Sequence, residues 1–203
     1  PNCTSVVECD FYDCLALSSV NFTNCISLGA VDFYKCRALT SVIFPNCTSV
    51  GYYALYECSA LTSVDLPNCT HADGGLFMNC ESLASVNLPN CTSVDAYTFY
   101  GCGALTSVNI PNCKRVENQA FDGCSALTSV YIPKCSYIYY YAFNNCTNLT
   151  QVYLNSVTSV TIISSTTFKN CPNLTSVYVP ASLVDAFKAG LYWSSMAFKI
   201  VAY

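Results

Sequence analysis

The sequence predicts a repeat solenoid: near-identical 22-residue turns whose short strands stack into a parallel β-sheet, with irregular or 3₁₀ return segments and a short C-terminal capping helix. Three observations predict it. Cysteines recur at a fixed spacing, apolar residues form columns in register with that spacing, and each period carries one strand-like apolar alternation.

The cysteine spacing sets the period. Cys3, Cys14, Cys25, Cys36, Cys47, Cys58, Cys69, Cys80, Cys91, Cys102, Cys113, Cys124, Cys135 and Cys146 are each 11 residues apart. Cys47, Cys69, Cys91 and Cys113 follow Pro-Asn, whereas Cys58, Cys80, Cys102 and Cys124 stand three residues before a Leu, so the structural period is 22. The apolar columns agree: Leu39, Leu61, Leu83, Leu105, Leu127 and Leu149 align, as do Val42, Val64, Val86, Val108, Val130 and Val152, and Phe33, Leu55, Phe77, Phe99, Phe121 and Phe143. A recurrence of this length lies in the range of leucine-rich repeats.

Within a turn, the segment Leu61-Thr62-Ser63-Val64-Asp65-Leu66 ends on a period-two alternation and Pro67 stops it, so each turn is expected to contribute one short strand. Between Val50 and Cys58 the spacing of Ala54, Leu55 and Cys58 is close to one helical turn, which predicts a tight 3₁₀ or irregular return. One such turn buries too little apolar surface to offset the ordering of its residues, so stacking is obligatory. The turn from Leu149 to Leu174 is 25 residues long, with three extra residues within Thr161–Thr167. After Pro180 the repeat stops. Ser182 with Asp185 resembles a capping box, Leu183, Ala186 and Phe187 share a helical face, and Gly190 supplies a stop. The expected organisation is a solenoid of about eight turns over 1–180 and a cap of helix plus terminal strand over 181–203. Pro1 falls inside a repeat, and the chain is read as a piece of a longer protein with further repeats or domains before it.

Composition excludes several functions. Apolar residues make up 53% and charged residues 10% of 203, a balance incompatible with disorder. The net charge is -4, and the eight Lys and Arg are scattered, with Lys114-Arg115 the one adjacent basic pair, so no nucleic-acid partner is expected. The longest uncharged stretch, Cys135 to Phe168, is rich in Asn, Thr and Ser, and no membrane insertion is expected.

The motif Leu-Thr-Ser-Val-x-Leu-Pro-Asn-Cys-Thr-Ser-Val, followed by Ala-Phe-x-x-Cys-x-x-Leu as in Ala120–Leu127, resembles the BspA-like leucine-rich repeat family over essentially the whole chain. The ending Tyr178–Phe187 is similar to a tail found on bacterial members. The resemblance implies an extracellular or cell-surface protein associated with adhesion and host-protein binding, without shared catalytic residues. One departure is the cysteine after Pro-Asn, where family repeats more often carry a small polar residue and an aliphatic one.

Chemistry-bearing residues are sparse. No Cys-x-x-Cys occurs and His71 is the sole histidine, so the cysteines are read as reduced, buried small hydrophobes rather than a metal or disulfide framework. Val157 at a Pro-Asn-Cys position supports that reading, and Cys9, outside both ladders, is the candidate for an accessible thiol or for a contact to sequence preceding Pro1. No catalytic residue and no cofactor is expected: His71 stands where Ser49 and Ser93 stand in other turns. Asp73, Asp95 and Glu117 share one repeat position and would stack about 5 Å apart, either as a weak cation site or as a solvated acidic edge. Tyr12, Tyr34, Tyr56 and Tyr100 form a row along the return segment, read as packing or lateral association. Sequons such as Asn46-Cys47-Thr48 arise from the repeat itself.

The solvent side of the strands reads Ser41, Ser63, Ser85, Ser107 and Ser129 beside Asp65, Asn87, Asn109, Tyr131, Tyr153 and Tyr178. This face, aromatic toward its C-terminal end, is the expected binding surface for a protein or glycan at a cell surface. The alternative is a structural spacer or assembly element without a ligand, favoured by the near-uniform turns from Leu39 to Leu127.

Overall fold

The computed structural model describes residues 5–6 and 10–203. Cys9 lies outside the described residues. The chain winds as a solenoid, every strand pairing in parallel with the strand one turn away. Two strand columns form where one was expected. Three-residue strands such as Ser63–Asp65, Ser85–Asn87 and Ser107–Asn109 bury their central Val and leave its neighbours exposed or, at Asn87, half-buried. Two-residue strands such as Ser49–Val50, His71–Ala72 and Arg115–Val116 bury only their second residue. Among the described residues they make a seven-stranded sheet of two-residue strands, a five-stranded sheet of three-residue strands, and a four-stranded sheet that ends on Ile200–Ala202. The second column belongs to Thr-Ser-Val after each Pro-Asn-Cys, an alternation too short to separate from a turn by periodicity.

The return segment is irregular, built of consecutive turns rather than 3₁₀ helix. Two columns of left-handed residues run along it: Val31, Tyr53, Gly75, Tyr97, Gln119 and Tyr141, and then Lys35, Glu57, Asn79, Gly101, Gly123 and Asn145. The amides of residues 31, 33 and 35 donate to the carbonyls of 52, 54 and 56, so this side also carries a ladder between turns. Gly101 needs its missing side chain, because a Cβ there would come within 2.4 Å of Asn79 Oδ1.

The core is a set of stacked columns. Phe77, Phe99, Phe121 and Phe143 stack with centroids 5.3, 4.9 and 5.0 Å apart. Phe168 continues the column, and Trp193 and Phe187 close it. Trp193 is fully buried and its Nε1 donates to Thr161 O, which ties the cap to the enlarged turn.

The cap departs from the expected capping box. A 3₁₀ turn, Ala181–Leu183, precedes the helix Val184–Ala189, so Leu183 rather than Ser182 is the N-cap and no side chain caps it. The phase shift buries Phe187, half-buries Leu183 and Val184, and leaves Ala186 exposed. Gly190 ends the helix in an extended conformation, its N–H donating to Phe187 O. No helix among the described residues is long and apolar enough to cross a membrane.

Candidate functional site

The expected binding residues all stand at one repeat position, the third residue of each strand in the column of longer strands. Asp65 pairs in register with Asn87 and Asn87 with Asn109, and Tyr131 pairs with Tyr153 and Tyr153 with Tyr178. The backbone ladder is interrupted between the two groups, which belong to different sheets.

The first group is a ladder of amides. Asn87 Nδ2 donates to Asp65 Oδ1 at 2.7 Å, and Asn109 Nδ2 donates to Asn87 Oδ1 at 2.7 Å. With Ser63, Ser85 and Ser107 beside them and Val64, Val86 and Val108 at its floor, they line a shallow groove of about 400 Å³.

The second group is a ladder of phenols. Tyr153 and Tyr178 stack with centroids 4.7 Å apart and planes 14° apart, and Tyr131 tilts by 52° against Tyr153. Tyr203 packs edge-on against both Tyr153 and Tyr178, each at 6.4 Å. Sequence reasoning placed Tyr203 only within the cap over 181–203; it reaches the patch because Ile200–Ala202 adds the final strand beside Ser176–Val179. Gln151 braces the base: Tyr153 OH donates to Gln151 Oε1 at 3.0 Å. Because the stacked rings cover one another's faces, the patch presents ring edges and hydroxyls outward.

Among the described residues every cysteine but the half-buried Cys14 is buried, as expected, and most of them also donate. Cys25, Cys47, Cys69, Cys91, Cys113 and Cys135 donate Sγ–H to the carbonyl two residues on, at 2.9 to 3.3 Å. Cys58, Cys80, Cys102, Cys124 and Cys146 donate to a carbonyl one turn back, at 3.0 or 3.1 Å. The thiol therefore fills a cavity and satisfies a buried carbonyl, a pairing that Val157 lacks; in that enlarged turn the Thr161 hydroxyl donates to Cys135 O instead. Burial pushes Cys47 and Cys91 up to about 12 and Cys69 to about 11. Cys171 moves the other way, because the Cys146 thiol donates to its thiolate form.

The other expected groups are placed as follows. In the acid column, Glu117 is paired with Arg115 Nη2 at 2.5 Å, and Asp73 is pushed up by burial and by the Asp95 charge. Among the described residues no group of three or more His, Cys, Asp and Glu could hold a metal ion. Tyr12, Tyr34 and Tyr56 stack with centroids 5.0 and 4.5 Å apart. Tyr100 is not part of that stack, because Met78 occupies the intervening turn and Tyr100 packs edge-on against Tyr97 instead. His71 is exposed, its Nδ1 3.0 Å from Thr70 Oγ1.

The repeat signature matches the model of the BspA type leucine-rich repeat region, in six copies covering residues 4–128 and 72–196. The chain belongs to the BspA-type leucine-rich repeat family. Similar solved structures are bacterial. A leucine-rich repeat protein from Bacteroides ovatus is 24% identical with a TM-score of 0.69, over 98% of this chain and 57% of the other. One from Eubacterium ventriosum is 27% identical with a TM-score of 0.67, over 75% and 42%. A leucine rich cell surface protein from Faecalibacterium prausnitzii is 20% identical with a TM-score of 0.55, over 96% and 66%. The chain thus spans about half the length of the first two. No curated protein sequence matches it.

Proposed function

We propose that this chain is a non-enzymatic binding module of an extracellular or cell-surface protein, and that it contacts a protein or glycan through the outward column of its three-residue strands. The observation that carries this reading is the four-tyrosine cluster, Tyr131, Tyr153, Tyr178 and Tyr203, continuing an amide ladder on a face whose underlying core does not change. Tyr131 is 46% and Tyr203 69% exposed, more than packing beneath them requires. Ring edges and hydroxyls suit a protein surface, which offers backbone acceptors, better than a sugar, which stacks on an open ring face. The printed name of the Faecalibacterium neighbour, a cell surface protein, accords with the proposed location.

An array of host proteins and glycans, probed with the intact chain and with a Tyr131→Ser, Tyr153→Ser, Tyr178→Ser variant, tests the reading. Binding by the intact chain that the variant loses at least about tenfold supports it. Equal binding removes the patch, and silence from the intact chain favours the spacer, a role that the uniform turns from Leu39 to Leu127 would serve. Turnover in a screen of esters, peptides and glycans would overturn the non-enzymatic assignment.

A further inference from the structure

The opposite strand column carries a groove that the tyrosine face does not explain. It measures about 670 Å³ and crosses the two-residue strands that hold His71, Ser93 and Arg115 in register. Its origin is a single repeat position, which reads Tyr52, Gly74, Ala96, Asn118 and Tyr140 in successive turns. Two small residues in a row make room at this position: the Tyr52 ring takes up the space over Gly74, and Ala96 leaves the notch beside it open. Tyr52 stands at one end of the notch. Its Cδ1 and Cε1 rest over Gly74, where a Cβ would meet both at 3.2 Å, so the missing side chain is what seats the ring. Tyr52 is 56% exposed and, unlike the phenols of the strand face, stacks on no other ring among the described residues.

Around the notch the polar groups are mixed in kind. Thr92 and Ser93 bring hydroxyls, Asp95 a carboxylate, and Lys114 and Arg115, the one adjacent basic pair of the sequence, bring cations. Arg115 is already engaged by Glu117 at 2.5 Å and lies 5.8 Å from the Tyr139 ring centroid. Lys114 has no ion pair within 4 Å among the described residues, so the groove offers one uncommitted positive charge. Asp95 and Glu117 beside it disfavour a multiply charged phosphate, and an open ring face with hydroxyls and a carboxylate acceptor suits a pyranose.

We propose that this groove binds a carboxylated sugar, a sialic or uronic acid residue at the end of a glycan. The sugar carboxylate pairs with Lys114, its hydroxyls bond to Ser93, Thr92 and Asp95, and its apolar ring face lies on Tyr52. Its volume of about 670 Å³ lies in the range of small-ligand sites, its lining residues are largely polar as a sugar requires, and it is independent of the tyrosine patch on the other strand column.

Calorimetric titration of the whole chain with sialyllactose, a glucuronic acid disaccharide, lactose and the methyl ester of sialyllactose tests the proposal, with inorganic phosphate and an acidic peptide as competitors. At least one acidic saccharide is expected to bind, with the ester and lactose weaker by about tenfold, and with affinity falling as salt rises. Lys114→Ala and Tyr52→Ala are each expected to lose about tenfold. Ala96→Asn keeps every polar group, fills the notch with the residue that the next turn carries there, and is expected to abolish binding while circular dichroism stays unchanged. The triple tyrosine variant is expected to bind the acidic saccharide as the intact chain does, which separates this site from the proposed protein-binding face. Failure of both acidic saccharides to bind, equal affinity for the ester, undiminished binding by Ala96→Asn, or displacement by phosphate or the peptide at comparable concentration would overturn it.

Discussion

The amide half and the phenol half of the outward column differ completely at the surface and hardly at all beneath it. Under Asp65, Asn87 and Asn109 lie Val64, Val86 and Val108; under Tyr131, Tyr153 and Tyr178 lie Val130, Val152 and Val177, all buried. The phenylalanine column and the thiol ladders likewise run under both halves. The difference teaches that the fold is written in the inward residues of each turn and leaves the outward column free to carry recognition.

If the core is common, both halves must unfold together. The largest test is alkaline pH. Below the ordinary thiol pKa of about 8.5 both folded and unfolded states hold their protons, and stability is at its full value. Above it the unfolded chain releases protons while the buried thiols, pushed up to about 11 or 12 at Cys69, Cys47 and Cys91, keep theirs. Each such thiol then lowers stability by about 1.4 kcal/mol per pH unit until the folded pKa is reached. Cooperative unfolding near about pH 10 is expected, followed together by Trp193 fluorescence and circular dichroism; two separate transitions would show that the halves do not share a core.

Smaller effects sharpen the contrast. Phe121→Ala, in the middle of the phenylalanine column, is expected to cost about 3 to 5 kcal/mol in urea unfolding by leaving a cavity between Phe99 and Phe143. Asp122→Ala removes a buried acceptor from Asn144 at 2.9 Å and Asn145 at 3.1 Å and is expected to cost about 1 to 3 kcal/mol. On the surface the scale drops. Tyr153→Ala loses stacking on Tyr178 and should cost about 0.5 to 1.5 kcal/mol. Asn87→Ala, which breaks the amide ladder, should cost about 0.2 to 1 kcal/mol. A surface loss as large as that of Phe121→Ala would contradict the separation of core from column.

The turn length and the Leu, Val and Phe columns were legible because burial repeats them. The second strand column was not, since Ser49-Val50 is two residues long and reads as a turn. The left-handed positions were hidden because they carry residues such as Val31, Tyr53, Lys35 and Gln119 far more often than glycine. Burial of the cysteines could be read from their spacing, whereas their carbonyl partners depend on stacking geometry that no local pattern encodes. The helix face was misjudged because Ala181–Leu183 takes up a tighter turn before the helix begins. For the outward column, six residues follow directly from the repeat register, and Tyr203 escapes it because the last strand lies outside the repeat. The groove beside Tyr52 left a signal that went unused: Gly74 and Ala96 are small where Tyr52, Asn118 and Tyr140 are not.

Recognition by the outward phenols, separable from the core, is what we propose. Replacing Tyr131, Tyr153 and Tyr178 by Asn extends the amide ladder across the face without touching a buried residue. Binding of this variant to whichever partner the intact chain captures, measured beside its thermal midpoint, tests the claim most directly. The expected result is a midpoint within a few degrees of the intact chain and a loss of binding of at least about tenfold. Undiminished binding at an unchanged midpoint would contradict it.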